Sequence, residues 1–373
     1  MKKVIIVGGG IVGAACAYEL IRKNIDVTII DAHKKGRATS AAAGVICPWL
    51  TQRRNKAWFH LAREGALYYD TLISALAKDG ETNTGYKKVG LIRLAEQNEA
   101  LEPFVQIGKE RRIQTPQIGE INILSPEKTK ELFPYIEKDF YALYVEHAAR
   151  VDGRLLRDSL ISASIKHGAT LIEGHATLMR HGKKFIGVQV GTKEILADDI
   201  IVVNGAWMKE IFAEADISVD VRPQKGQIID LYDEGNTNNL PVVKPPNNQY
   251  LLTFDDGKIV VGATQENTDN LQPTSTAFGV HYILEQALTY APQLASSHVN
   301  EIRVGFRPTT FNHAPMYGPI PNYENIYIGT GLGASGLNTG PYMGMQLAKM
   351  ALGEPLDLNA ENYKVDDIIC EKA

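Results

Sequence analysis

The run Lys3-Val4-Ile5-Ile6-Val7-Gly8-Gly9-Gly10-Ile11-Val12-Gly13-Ala14 decides how this chain folds. Residues 4–7 form a short unbroken apolar stretch, as expected of a parallel strand covered on both faces. Gly8 permits the tight turn out of that strand, Gly10 lets the backbone approach a pyrophosphate, and Gly13 allows the following helix to lie close against the strand. The unsatisfied N–H groups at the helix start face the phosphate charge. Glycines in this spacing are common on their own. Here a second apolar strand, Val27-Thr28-Ile29-Ile30, follows and ends in Asp31, about twenty residues on, where a carboxylate accepts hydrogen bonds from a ribose diol. The unit predicts a dinucleotide site. The charge of Asp31 disfavours a 2′-phosphate, which leaves FAD or NAD and argues against NADP.

Outward from this unit, 373 residues with 44% apolar content suffice for two domains or one large one. A net charge of −4 and scattered Lys and Arg exclude a nucleic-acid partner. The pairs Arg53-Arg54 and Arg111-Arg112 read as solvated charges. No apolar run is long enough to span a bilayer, and peripheral attachment to a membrane stays open. Cys16, Cys47 and Cys370 are far apart, with neither metal-ligand nor redox-pair spacing, so a reducing cytoplasm is the expected compartment.

Two further apolar runs read as buried strands. One is Asp199-Ile200-Ile201-Val202-Val203-Asn204, followed by Gly205-Ala206-Trp207. The other, residues 325–329, leads through a glycine-rich loop into a helix over 341–352, ended by Gly353 and Pro355. Three distant strands thus deliver turns to one sheet edge, and the nucleotide-binding part is expected to be discontinuous. Residues 86–94 and 221–264 alternate and are rich in Val, Ile, Tyr and Thr, the pattern of antiparallel strands. Residues 249–262 read as a hairpin turning at Asp255-Asp256-Gly257. The expected division is 1–85, 141–220 and 300–373 for the cofactor domain, with 86–140 and 221–299 for the substrate domain. The expected class is α/β in the first and α+β for the whole.

Several short motifs, in order, carry a family resemblance: the glycine fingerprint with Asp31; Gly36-Arg37-Ala38-Thr39-Ser40-Ala41-Ala42-Ala43-Gly44-Val45; Arg150-Val151-Asp152-Gly153; Arg222-Pro223-Gln224-Lys225-Gly226-Gln227; Gly305-Phe306-Arg307-Pro308; and Gly331-Leu332-Gly333-Ala334-Ser335-Gly336. The chain resembles the D-amino-acid oxidase superfamily, in its glycine oxidase, sarcosine oxidase and D-amino-acid dehydrogenase branch. The resemblance implies a Rossmann-type FAD domain of the glutathione-reductase type, roofed by an antiparallel substrate domain. It implies FAD as cofactor. Ala38 and Thr39 would then touch the diphosphate, and Ala43, Gly44 and Val45 would lie along the flavin, where small residues pass close to a flat ring. Ile11, Val12, Ala32 and Ala176 complete that wall. Gly333, Ala334, Ser335, Gly336, Leu337 and Asn338 would meet the pyrimidine edge, where backbone N–H groups favour negative charge.

The resemblance makes Arg307 the clamp for a substrate carboxylate, with Tyr250 assisting; a guanidinium suits that role through two parallel N–H bonds and permanent charge. Hydride transfer from Cα of a small D-amino, glycine-like or N-methyl amino acid to flavin N5 would give an imino acid that hydrolyses to a 2-oxo acid. No general base is needed, so His147, His281, His298 and His313 are not assigned to catalysis. Leu332 stands where relatives carry a histidine, and Ala334 where the glycine oxidase branch has an arginine, which favours a bulkier or more apolar substrate than glycine. Cysteine is absent from 326–350 and histidine from 38–44, so the FAD is expected to be non-covalent. Pro48, Trp49 and Trp58 follow the flavin-proximal run, so they are candidates to line the pocket, with core packing the expected role of each. Competing readings are oxidation of a 2-hydroxy acid or polyol phosphate, and a flavin-binding protein without turnover. Whether electrons pass to O2 or to another acceptor, and the oligomeric state, are not written in the sequence.

Overall fold

The computed structural model describes residues 1–371. The strand Lys3–Val7 lies inside a six-stranded sheet, between Asp26–Asp31 and Asp199–Val202, both parallel to it. Ile6 stands opposite Ile29 on one side and Ile201 on the other. Thr170–Glu173 continues the sheet beyond Asp26–Asp31, and Ile326–Thr330 continues it beyond Asp199–Val202. Met316–Pro319 closes that edge in the antiparallel sense. The unbroken apolar runs read from the sequence are therefore buried on both faces, and these parallel strands all end at one edge of the sheet.

The helix Ile11–Ile21 packs behind that sheet and is buried along nearly its whole length, because Gly13, Ala14, Ala15 and Ala17 let neighbours approach closely. Against it lies the helix Gly336–Leu352, which starts before the expected boundary at Pro341. Proline inside a helix removes one N–H and leaves the carbonyl a turn earlier without its donor. That carbonyl is Leu337 O, and the Tyr69 hydroxyl, from the helix Lys56–Lys78, donates to it at 2.6 Å. A tertiary contact thus replaces the missing helical bond. Gly353, at φ +68, ends the helix as expected.

A nine-stranded sheet forms the second layer. Its longest pair, Arg222–Tyr232 and His298–Thr309, runs antiparallel from Arg222 opposite Thr309 to Tyr232 opposite His298. The expected hairpin is present as Tyr250–Thr253 and Lys258–Gly262, in register with Tyr250 opposite Gly262. Asp256 and Gly257 turn it, at φ +78 and +85. The sheet is mixed and not wholly antiparallel, because Val242–Lys244 runs parallel to Leu91–Ala95. Tyr141–Val145 and His298–Thr309, which the expected division puts mostly with the cofactor segments, are strands of this sheet.

A charged cluster ties the two layers together. Arg303 and Asp230 are both buried and paired, Arg303 Nε donating at 3.0 Å. Arg303 Nη1 also donates to Ser40 O at 3.0 Å, anchoring the run 36–45 to the long strands. Lys258 binds Asp152, whose carboxylate also caps the helix Gly153–Lys166 by accepting from Arg154 N and Leu155 N. A buried pair of this kind specifies one docking geometry while its net stabilisation stays small.

Candidate active site

The strand ends of the first sheet and the long strands of the second enclose a cavity of 630 Å3. At one end stands the glycine turn. A Cβ on Gly8, at φ +111, would lie 2.7 Å from Val203 O, and one on Gly13 would lie 1.9 Å from Gly8 O. Both glycines are therefore fixed by protein packing, and Gly13 does not line the cavity. Gly10 differs. A Cβ there would meet only Thr39 Oγ1, at 3.5 Å, and would otherwise project into open space. Ile11 N donates to Thr39 Oγ1 at 3.0 Å and Ala14 N to Gly10 O at 2.9 Å. The N–H groups of Val12 and Gly13 have no acceptor within their own helix, as in any first turn. Because Thr39 accepts from the helix, its hydroxyl proton remains available to a ligand. This cradle fits a diphosphate.

Asp31 lies beside it, buried, with Ala32 and Ala176 on the same wall. Its Oδ1 accepts from His33 N at 3.0 Å, and its Oδ2 accepts from Arg37 at 2.7 Å and from Arg157 at 3.2 Å. Arg157 Nε also holds Gly9 O at 2.8 Å. No motif marks either arginine as a partner of Asp31, and together the two guanidinium groups offset its charge, so the electrostatic case against a 2′-phosphate weakens. The carboxylate's position, fixed from three sides, still suits a ribose diol. Replacing Asp31 by Ala is expected to weaken FAD binding to the apoprotein by about 10- to 100-fold, the effect of losing one or two hydrogen bonds to a charged group. Fluorescence titration with FAD measures this, and wild-type affinity would place the ribose elsewhere.

Residues 38–45 pass along the middle of the cavity, with Ala38, Thr39, Ala43, Gly44 and Val45 on its wall. Facing them is the late loop with Gly333, Ala334, Ser335, Gly336, Leu337 and Asn338. Ser335 Oγ donates to Leu332 O at 2.7 Å and accepts from Trp58 Nε1 at 3.2 Å, while Asn338 Nδ2 donates to Ala62 O at 2.8 Å. The helix Lys56–Lys78 thus holds this loop in place. Trp58 and Pro48 line the cavity, a role that apolar patterning could not separate from core packing, whereas Trp49 is buried away from it. Leu332, buried, adds an apolar patch to the wall.

Arg307 and Tyr250 stand on the substrate side. Arg307 Nη1 donates to Thr264 O at 3.0 Å, and a Cβ on Gly226 would fall 2.5 Å from Nη2, so the strand opposite is cleared for the guanidinium. Among the described residues no carboxylate lies within 4.0 Å of it. Burial pushes its pKa down and the charge of Glu266 pulls it up. Glu266 itself is engaged by Gln227 at 2.7 Å, Thr264 at 2.7 Å and Lys225 at 3.5 Å. Burial pushes the Tyr250 hydroxyl pKa up, which keeps it a donor at neutral pH; the Lys244 ammonium lies 4.3 Å from its ring centre. His313 is exposed at the cavity mouth, while His147, His281 and His298 are not on its wall.

A family model described as "FAD dependent oxidoreductase" matches residues 3–350. The chain belongs to this family. FAD is its cofactor, and the NAD alternative is set aside. The oxidoreductase YurR of Bacillus subtilis (strain 168) is 46% identical, over 97% of this chain and 98% of its own. The crystal structure of iminodiacetate oxidase (IdaA) from Chelativorans sp. BNC1 superposes with a TM-score of 0.94 at 40% identity, covering 97% of this chain and 99% of that one. The glycine oxidase of Pseudomonas aeruginosa is 28% identical over 95% of this chain and 96% of its own. The mixed α/β architecture is that of these FAD enzymes. Among the described residues no helix is long and apolar enough to cross a membrane, and no cluster of His, Cys, Asp and Glu suits a metal ion. The side chain of Cys370 lies outside the described residues.

Proposed function

We propose that the protein oxidises the Cα–N bond of a small amino acid, taking a primary or secondary amine that carries a carboxylate. The observation that carries this reading is Arg307: a charged guanidinium that, among the described residues, has no carboxylate partner, on the wall of a cavity whose glycine turn fits FAD. Bound FAD supplies the acceptor for the hydride of the Cα–H bond, leaving an imino acid that water hydrolyses to a 2-oxo acid. Thr264 O fixes one nitrogen of Arg307, so the remaining N–H groups are directed by the backbone and free to take a carboxylate bidentately. Tyr250 can donate its hydroxyl proton to the same carboxylate. Leu332 presents apolar surface to the rest of the substrate. No histidine or carboxylate is required to take a proton, because the amine enters neutral.

Amines are favoured over 2-hydroxy acids by the relatives, one named a glycine oxidase and one an iminodiacetate oxidase. The test is anaerobic reduction of the flavin, followed by loss of its visible absorbance, with D-amino acids, L-amino acids, N-methyl amino acids, iminodiacetate and 2-hydroxy acids. Rapid bleaching by an amine bearing a carboxylate is the expected result. Bleaching by 2-hydroxy acids alone, or by none of the panel, would overturn the reading. Mixing the reduced enzyme with O2 afterwards separates an oxidase from an enzyme that needs another acceptor.

A further inference from the structure

The charged groups on the cavity wall do not balance. Four are basic, Lys34, Arg37, Arg53 and Arg307, and two are carboxylates, Asp31 and Glu210. Both carboxylates are taken: Arg37 pairs with Asp31 at 2.7 Å, and Lys34 pairs with Glu210. The diphosphate of FAD belongs at the Gly10 cradle, beside those pairs. Elsewhere on the same wall, among the described residues, Arg53 has no carboxylate within 4.0 Å, and neither has Arg307.

Arg53 is nevertheless held. Its Nη2 donates to His313 O at 3.1 Å, in the loop that follows the strand carrying Arg307. Its guanidinium lies over the Trp58 ring, 4.7 Å from the centre, and Trp58 is bonded in turn to Ser335 of the late loop. A guanidinium stacked on an indole and tied by one nitrogen keeps its other N–H donors in a fixed fork. The side chain itself is exposed at the cavity mouth, so an anion entering the cavity can reach those donors. Neighbouring Arg54 is not on the cavity wall. We propose that Arg53 at the cavity mouth receives a second carboxylate of the substrate, so that the natural substrate class is an amine flanked by two carboxylates, with Arg307 holding the inner one. This rests on the reading of Arg307 as the carboxylate clamp.

The test uses the FAD-loaded enzyme and two ethers that have no amine to oxidise: oxydiacetate, with two carboxylates, and methoxyacetate, with one. Isothermal calorimetry gives both affinities. The wild-type enzyme is expected to bind oxydiacetate at least about tenfold more tightly, the effect of an added charge-assisted hydrogen-bond pair. Arg53→Ala is expected to bring oxydiacetate down to the methoxyacetate affinity, and Arg53→Lys to restore part of the preference. In turnover, Arg53→Ala should raise KM for iminodiacetate far more than it lowers kcat. Equal wild-type affinity for the two ethers overturns the proposal, as does a preference that survives Arg53→Ala. So does a shifted flavin reduction potential with the preference intact, which would assign Arg53 to the flavin. Failure of the amine reading shows itself separately, as no bleaching by any amine, while the calorimetric preference still reports on the second carboxylate site.

Discussion

Arg307→Ala is expected to keep its FAD and lose about 10²- to 10⁴-fold in kcat/KM on substrates bearing a carboxylate. The magnitude follows from two charge-assisted hydrogen bonds at roughly 1.5–3 kcal/mol each, with about 1.4 kcal/mol per factor of ten in rate. The cofactor should stay because Arg307 is bonded to Thr264 O, between two strands of the large sheet, whereas the cradle that fits the diphosphate is formed by Gly10, Ile11 and Thr39. Arg307→Lys keeps the charge but replaces the planar fork by a point charge, so it should recover only part of the loss. Steady-state kinetics together with the ratio of flavin to protein absorbance checks both halves. Unchanged kcat/KM in Arg307→Ala would remove the residue from substrate binding.

The second large effect separates two glycines of one motif that serve different tasks. Gly13→Val should give unstable protein without flavin, because its Cβ would stand 1.9 Å from Gly8 O, where backbone cannot withdraw without opening the helix–strand contact. Overpacking commonly costs about 1–3 kcal/mol, and a clash with backbone lies at the upper end or beyond. Gly10→Ala should behave differently. Its Cβ meets nothing closer than Thr39 Oγ1 at 3.5 Å, so the fold tolerates it, and the methyl occupies space that the pyrophosphate needs. Thermal melting of the apoproteins and FAD titration distinguish the two variants. Gly13→Val with wild-type melting temperature, or Gly10→Ala with wild-type FAD affinity, would contradict the placement of the turn.

The sequence by itself determined the elements whose signal is local. Residues 4–7 and 200–203 are continuous apolar runs, and 27–30 is broken only by Thr28, because both faces of these strands are covered, and a strand covered on both faces has little polar alternation to obscure it. Gly353 and the Asp256-Gly257 turn announce themselves by the backbone angles that they permit. The place of Asp31 at the end of its strand was legible because it is set by the length of one strand–helix–strand unit.

Only the tertiary structure decided what depends on groups distant in the chain. Arg37 and Arg157 converge on Asp31 from different segments, and no pattern around either arginine says so. The helix beginning at Gly336 passes through Pro341 because Tyr69, far back in the chain, satisfies Leu337 O. The long pairing of Arg222–Tyr232 with His298–Thr309 joins strands separated by most of the substrate layer. Arg53 reads in the chain as half of a solvated pair, yet the fold seats it on Trp58 and His313 O at the mouth of the cavity. Local propensity and spacing fix backbone conformation over a few residues; the partners of a charged side chain are chosen by which segments the packed core brings side by side, and that choice is a property of the whole fold.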